Sequence, residues 1–248
     1  MRIDIVTLFP DMFTGPLGMS MIARAKARGV LDIHFTNPRD FAFDKHRQVD
    51  DSPFGGGSGM VLKIEPMTRA LRALRNNVTI PRARTILLCP SGQTFSQQKA
   101  KELATYDWLT LICGHYEGFD ARIADTLADE ALSIGDFVLT GGELPAMVVI
   151  DAVARMLPHV LGSEESAVTD SFFAGLLGYP QYTRPRVYEG KEVPAVLLSG
   201  DHAKIHQWRR QASLRLTKER RPDLLAKAPL TEADKKYLAC LEIEDEEK

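Results

Sequence analysis

The sequence predicts an α/β protein built on a mostly parallel sheet, followed by a small, mainly helical C-terminal domain. Three observations carry this expectation. Apolar, β-branched runs recur at 3–8, 31–35, 85–89, 108–113 and 131–139. Helical spacing of apolar residues separates several of them, at 21–27, 66–75 and 97–106. The texture then changes after Pro158, where small polar residues replace periodic ones. Strands that alternate with helices form parallel sheets, because each crossover returns the chain to the same end of the sheet.

Taken in order, the first run alternates polar and apolar residues from Met1 to Phe9 and then meets Pro10 and Asp11. This suits a strand entering the fold and not a signal peptide, so a cytoplasmic protein is expected. Next, Asp50-Asp51-Ser52-Pro53-Phe54-Gly55-Gly56-Gly57-Ser58-Gly59-Met60 is glycine-rich, yet it has neither the P-loop spacing nor GxGxxG. It reads as a loop that folds over a bound partner, or as a plain solvent loop. Asp50 and Asp51 read as turn formers, or as ligands for a cation or base edges. Two later runs share one design: Cys113-Gly114-His115-Tyr116-Glu117-Gly118 and Ile134-Gly135-Asp136-Phe137-Val138-Leu139-Thr140-Gly141-Gly142 each take an apolar strand into a glycine-bounded turn before a helix. Such turns let backbone amides press against a small ligand, and two neighbouring strand ends build one pocket.

The helix expected at 144–157 is apolar on nearly every face, which calls for burial all round, under the sheet or against a second subunit. It carries Asp151 and Arg155 four apart. Arg155 either pairs with Asp151 or points into the pocket, where a fixed cation polarises a carbonyl oxygen. A linker is expected over 161–176, between a first domain at 1–160 and a second at 177–248. Within it, Asp170 reads by itself as a helix N-cap. The second domain is expected to hold a short strand at 195–198 and a helix at 202–217 with Ile205, Trp208, Ala212 and Leu216 on one face.

Composition narrows the function classes. No apolar run approaches the ~18 residues that a membrane span requires. Cys89, Cys113 and Cys240 are odd in number and stand outside any CxxC or Cys/His spacing, so neither a disulfide framework nor a zinc site is expected. A net charge of −2 hides an uneven distribution: from Asp201 to Lys227 eight Lys or Arg stand against three Asp or Glu, and from Thr231 to Lys248 three stand against seven. The basic series Lys204, Arg209, Arg210, Arg215, Lys218, Arg220 and Arg221 reads as a solvated helix face or as an RNA contact. Tyr179-Pro180-Gln181-Tyr182-Thr183-Arg184-Pro185-Arg186 couples aromatic rings with arginines, a composition suited to stacking on bases and gripping phosphates, or to a rigid interdomain brace.

At these residues the chain resembles the bacterial tRNA (guanine-N1)-methyltransferases, the TrmD family of the SPOUT superfamily. The resemblance spans nearly the whole length. It rests on the start from Ile3 to Pro10, the 50–60 loop, GHYEGFDAR from Gly114, SIGDFVLTGGELPA from Ser133 and YTRP from Tyr182. It implies a SPOUT-type parallel sheet with a deep C-terminal trefoil knot and an obligate homodimer with its active site at the subunit interface. S-adenosylmethionine is implied to lie against Leu88, Pro90, Gly114, Tyr116, Glu117, Ile134, Gly135, Asp136, Phe137, Val138, Leu139, Gly141, Gly142 and Pro145. The implied acceptor is N1 of the guanosine immediately 3′ of the anticodon in tRNA. Asp170 matches the family's proposed general base, and Arg155 the arginine that stabilises charge on guanine. Asp51, Gly59, Tyr182, Arg184, Arg186, Arg209 and Arg210 are the candidates for RNA contact. No metal ligand is assigned, Mg²⁺ participation is left open, and no DNA or membrane partner is expected.

The assignment is chemically coherent. A sulfonium donor needs apolar walls, backbone hydrogen bonds and an in-line nucleophile. Guanine N1 carries a proton, so a base and a splayed-out nucleotide are required. A carboxylate is a weak base for that proton, which leaves Arg155 and partial burial of Asp170 to narrow the gap. The linker is expected to order when tRNA docks and so carry Asp170 into a site built largely by the other subunit. Departures from the family's pattern fall at His115, Ala121, Gly178 and Gln181. Two competing readings share the basic face: a SPOUT methyltransferase acting at another RNA position, and a non-catalytic RNA-binding dimer.

Overall fold

Ile3, Ile5 and Val6 are sealed from solvent, and between them the buried carboxylate of Asp4 accepts hydrogen bonds from Trp108 Nε1 and Arg2 Nε, each at 2.6 Å. This polar clamp ties the first strand to its neighbour at the sheet's centre. The computed structural model describes residues 1–76, 80–162 and 168–246. Its strands are β1 (Arg2–Val6), β2 (Asp32–Thr36), the short β3 (Asp50–Asp51) and β4 (Val61–Leu62), β5 (Ala83–Thr94), β6 (Trp108–Cys113) and β7 (Glu130–Ser133). Five of them form one parallel sheet in the order β2-β1-β6-β5-β7, while β3 and β4 pair antiparallel.

Helices cover both faces of the sheet, and this is why β6 is buried at all six positions and reads as one apolar run. α1 (Ser20–Ala27), α3 (Gln97–Leu103) and α5 (Glu143–Ala154) contribute to one cluster, centred on Ile5, Leu111, Val149 and Ile150. α2 (Ile64–Asn76) and α4 (Arg122–Leu127) build the other, where Met67, Leu71 and Ile123 pack on Val6, Leu87 and Ile112. Each such side chain removed from water contributes about 1.5–3 kcal/mol.

Two expectations change, and one is met only in part by this chain alone. The strand expected over 131–139 stops at Ser133, because Gly135 adopts φ +147° and the Ser133 hydroxyl takes a hydrogen bond from the Gly135 amide at 3.2 Å. Ala195–Leu198 is a 3₁₀ turn and not a strand: it follows Pro194, and the Leu197 amide bonds the Pro194 carbonyl at 2.9 Å. Within one chain α5 is not buried all round, since Leu144 and Val148, one turn apart, are 49% and 47% exposed.

The chain divides into two compact units, Met1–Glu164 and Glu165–Lys248. Of the linker expected over 161–176, residues 163–167 lie outside the described residues, and the stretch from 168 belongs to the second unit. That unit holds the hairpin β8 (Val187–Tyr188) and β9 (Lys191–Glu192), α6 (His202–Arg220), α7 (Pro222–Leu225) and α8 (Glu232–Glu246). α6 is capped by Asp201, whose side chain accepts from the Lys204 amide at 3.1 Å. Its buried Thr217 accepts from the Leu177 amide at 3.0 Å, which fastens the entering chain to the helix. No helix among the described residues is long and apolar enough to cross a membrane.

Candidate active site

The pocket is made by backbone before it is made by side chains. After β6 the chain turns through Gly114, Tyr116 at φ +61° and Gly118, with the Gly118 amide closing on the His115 carbonyl at 3.2 Å. After β7 it returns to that turn, where the Gly142 amide bonds the Gly114 carbonyl at 2.8 Å and Gly141 pairs with His115. The two segments are so close that a Cβ on Gly142 would stand 2.7 Å from Cys113 Cα and from the Gly114 nitrogen. A Cβ on Gly114 would meet the Phe119 ring at 2.7 Å. Glycine at these positions is therefore a steric requirement.

These turns and the end of β5 enclose a cavity of about 490 Å³, within the usual range for a small-molecule site and open outside the carboxyl ends of parallel strands. β5 contributes Leu88 and Pro90, where its pairing with β7 jumps from Leu88 to Gln93. Gly114, Tyr116 and Glu117 come from the first turn; Ile134, Gly135, Phe137, Val138, Leu139, Gly141, Gly142 and Pro145 come from the second. Of the residues expected to hold the cofactor, only Asp136 is missing from this wall. It sits in the tight turn in which the Phe137 amide bonds the Gly135 carbonyl at 2.9 Å.

Several wall residues were not singled out from sequence as ligand contacts. Phe119 follows the first turn, and Ala121, Ala124 and Asp125 reach the cavity from the start of α4 through helical spacing, a signal present in the sequence once that turn is assigned. His115 packs between Phe9 and Tyr116, with ring centroids 4.8 Å from each, and its Nδ1 is buried without a hydrogen-bond partner. Glu117, Asp120 and Asp125 bring carboxylates to a largely apolar wall. Hydrogen bonding from Arg122 holds the Asp120 carboxyl below the usual range. Behind the wall, burial and then the neighbouring Glu143 charge push the Cys113 thiol well up, which makes it an inert packing group.

The glycine-rich loop is tied to the same turn. The Glu117 amide bonds the Met60 carbonyl at 3.0 Å, Leu62 N reaches the Gly118 carbonyl at 2.9 Å, and the Glu117 side chain fills the space a Cβ on Gly59 would need. Asp51 lies exposed in β3 and accepts from the Ser52 amide at 2.8 Å.

Arg155 is half-buried at the C-cap of α5, where a cation also suits the helix dipole. Asp170 belongs to the second unit; it is exposed and opens a turn in which the Phe173 amide bonds its carbonyl, instead of capping a helix. Partial burial of Asp170 is thus not provided within its own unit. Tyr182, Arg184 and Arg186 are exposed, and Arg209 lies 4.9 Å over the Tyr179 ring. Arg210 forks onto the buried Asp234 at 3.0 and 2.8 Å, an ion pair within the second unit. Among the described residues no group of three or more His, Cys, Asp or Glu is placed to hold a metal ion.

Sheet and pocket together define an α/β ligand-binding protein whose site lies at the carboxyl ends of parallel strands. The model of the family described as tRNA (Guanine-1)-methyltransferase TrmD matches residues 1–227. The chain belongs to that family, and it is a methyltransferase. It is 56% identical over 246 residues to the tRNA (guanine-N(1)-)-methyltransferase of Geobacter sulfurreducens, covering 99% of this chain and all of the relative. The Brevibacillus brevis protein of the same name is 56% identical over 244 residues, covering 98% and 99% of the two chains. That of Geobacillus kaustophilus is 54% identical over 246 residues, covering 99% and 100%.

Proposed function

We propose that this protein transfers a methyl group from S-adenosylmethionine to N1 of the guanosine immediately 3′ of the anticodon in tRNA. The observation that carries the reading is the double glycine turn, locked by the Gly142 to Gly114 hydrogen bond around a largely apolar cavity that also holds carboxylates. That chemistry fits the donor: apolar walls and close backbone for an adenosine, and the acidic groups Glu117 and Asp125 for a cation. When bound, S-adenosylmethionine supplies an electrophilic methyl carbon on a positively charged sulfur.

The chain's own residues do the rest. Asp170 takes the N1 proton, and Arg155 opposes the negative charge that deprotonation leaves on the O6 side of guanine. Asp51 and Gly59 of the β3–β4 loop, together with Tyr182, Arg184, Arg186 and Arg209, position the RNA. A homodimer completes the site. Its support is the α5 stripe of Leu144 and Val148, half-exposed apolar side chains next to a buried core. The trefoil knot belongs to the same reading: the chain leaves β7 at one edge, crosses the end of β5 and docks on the turn after β6. A role for Mg²⁺ in the reaction is tested by adding it to the transfer assay. The cytoplasm is the proposed compartment.

The test uses purified protein, radiolabelled methyl donor and unmodified tRNA transcripts, with nuclease mapping of the product. Label at that guanosine, and none in a transcript where it is replaced by adenosine, is the expected result. Label at another position, or no transfer by native protein, overturns the proposal.

A further inference from the structure

The second unit has a cavity of its own, about 280 Å³, that holds neither Arg155 nor Asp170. Trp208, Arg215 and Glu219 line it from one face of α6, Tyr237 from α8, and Tyr182 from the proline-stiffened segment. The Tyr182 and Trp208 rings form a tilted pair, with centroids 6.3 Å apart at an interplanar angle of 57°, and both line the cavity. Arg215 Nη2 donates to the Tyr237 hydroxyl at 3.0 Å, which fixes a flat cation in the wall with donors to spare. One helical turn further on, Glu219 adds an acceptor.

The geometry points to a pocket for one unpaired nucleobase of the RNA, an anchoring base distinct from the guanosine that receives the methyl group. This inference rests on the proposed tRNA reading. A base offers what the pocket can use: a flat π-face for the rings that line it, acceptors for the Arg215 fork and an amino or imino donor for Glu219. A duplex backbone offers no π-face to the three rings, and an apolar peptide segment offers nothing to the remaining Arg215 donors or to Glu219. The surrounding charge agrees, since the 201–227 segment carries eight basic residues against three acidic ones.

The full-length protein is titrated into fluorescently labelled, unmodified tRNA transcript, and anisotropy is followed at several salt concentrations. Loss of one stacked base predicts that Trp208→Ala and Tyr182→Leu each weaken binding by roughly five- to a hundredfold. The slope of log affinity against log salt should not change, because no phosphate contact is lost. Trp208→Phe should recover most of the affinity, and Arg215→Gln should weaken binding as well. Calorimetry with S-adenosylmethionine should give wild-type affinity in every variant, which certifies the first unit; Tyr182 is 49% exposed, so its substitution is the one least able to disturb folding. Wild-type affinity in both Tyr182→Leu and Arg215→Gln overturns the pocket. So does a slope lowered by about one in the aromatic variants, which marks a phosphate contact. In either case methylation of the transcript by wild-type protein leaves the parent reading standing, whereas wild-type protein that neither binds nor methylates the transcript overturns both.

Discussion

The Thr7 hydroxyl donates to Glu143 Oε1 at 2.7 Å, joining the end of β1 to the first turn of α5 across 136 residues of sequence. Both side chains are buried, and Thr7 Oγ1 also accepts from the Phe9 amide at 3.0 Å. The carboxylate is therefore a structural pin behind the pocket, placed where a helix N-terminus favours negative charge. Thr7→Val keeps the shape and strips the donor, leaving a buried acceptor short of a partner. It should cost about 1–3 kcal/mol in urea unfolding. A loss below about 0.5 kcal/mol would show that the pin carries no weight.

Gly142→Ala inserts a methyl group 2.7 Å from Cys113 Cα and the Gly114 nitrogen, both backbone atoms that cannot rotate away. Forcing the turns apart should weaken calorimetric affinity for S-adenosylmethionine by at least roughly tenfold. Gly15→Ala is the control, since a Cβ there meets nothing within 4 Å. Equal affinity in the two variants would remove the close approach as a determinant of the site.

If Asp170 touches the acceptor and not the donor, Asp170→Asn abolishes nearly all turnover while donor affinity stays at the wild-type value. Arg155→Ala should slow single-turnover methyl transfer by at least roughly tenfold if the guanidinium stabilises developing charge. An unaltered rate would return Arg155 to the role its C-cap position offers, closing the α5 dipole.

Hydrogen bonding from Arg210 is the main cause that lowers the Asp234 carboxyl from 3.8 to about 2. A depressed acid stabilises the folded state above its unfolded value and loses that contribution as the folded group protonates. The Arg210 link should therefore be intact above about pH 4 and decay toward pH 2, withdrawing on the order of 1–2 kcal/mol once solvent screening is allowed for. Acid unfolding of Asp234→Asn should lack this component. An identical acid profile in the variant would refute the linkage.

Val148→Asp places a charge in the half-exposed stripe of α5. If the proposed homodimer forms through this stripe, sedimentation should shift from dimer to monomer, with methyl transfer lost in parallel. A monomeric variant with undiminished transfer would separate assembly from activity.

Much of the sheet was legible because parallel strands buried on both faces leave unbroken apolar runs, and 108–113 matches β6 residue for residue. The pocket was legible for a related reason: Gly142 stands against backbone where no side chain fits, and Gly114 and Gly141 against the packed Phe119 and Glu143 side chains, so the close approach is written as residue type. Ala195–Leu198 was misread as strand because four apolar residues have no period of their own, and 134–139 because its apolar residues hid the break that Gly135 makes at φ +147°. The Arg210 ion pair was hidden for a similar reason. On the helix it resembles Arg209, and only the Asp234 carboxylate, 24 residues later, draws it inward.

The sequence by itself determined the alternation of strand and helix, the two glycine turns and the kinship, since each is carried by local pattern or by residue type. Tertiary structure alone decided that the turns bond to each other, that Phe119 and Asp125 share their cavity, and that Trp208, Arg215 and Tyr237 converge on a second one. The physical reason is that such meetings depend on strand order and helix packing. Those are fixed by burial summed over the whole chain, and no short window of residues contains that sum.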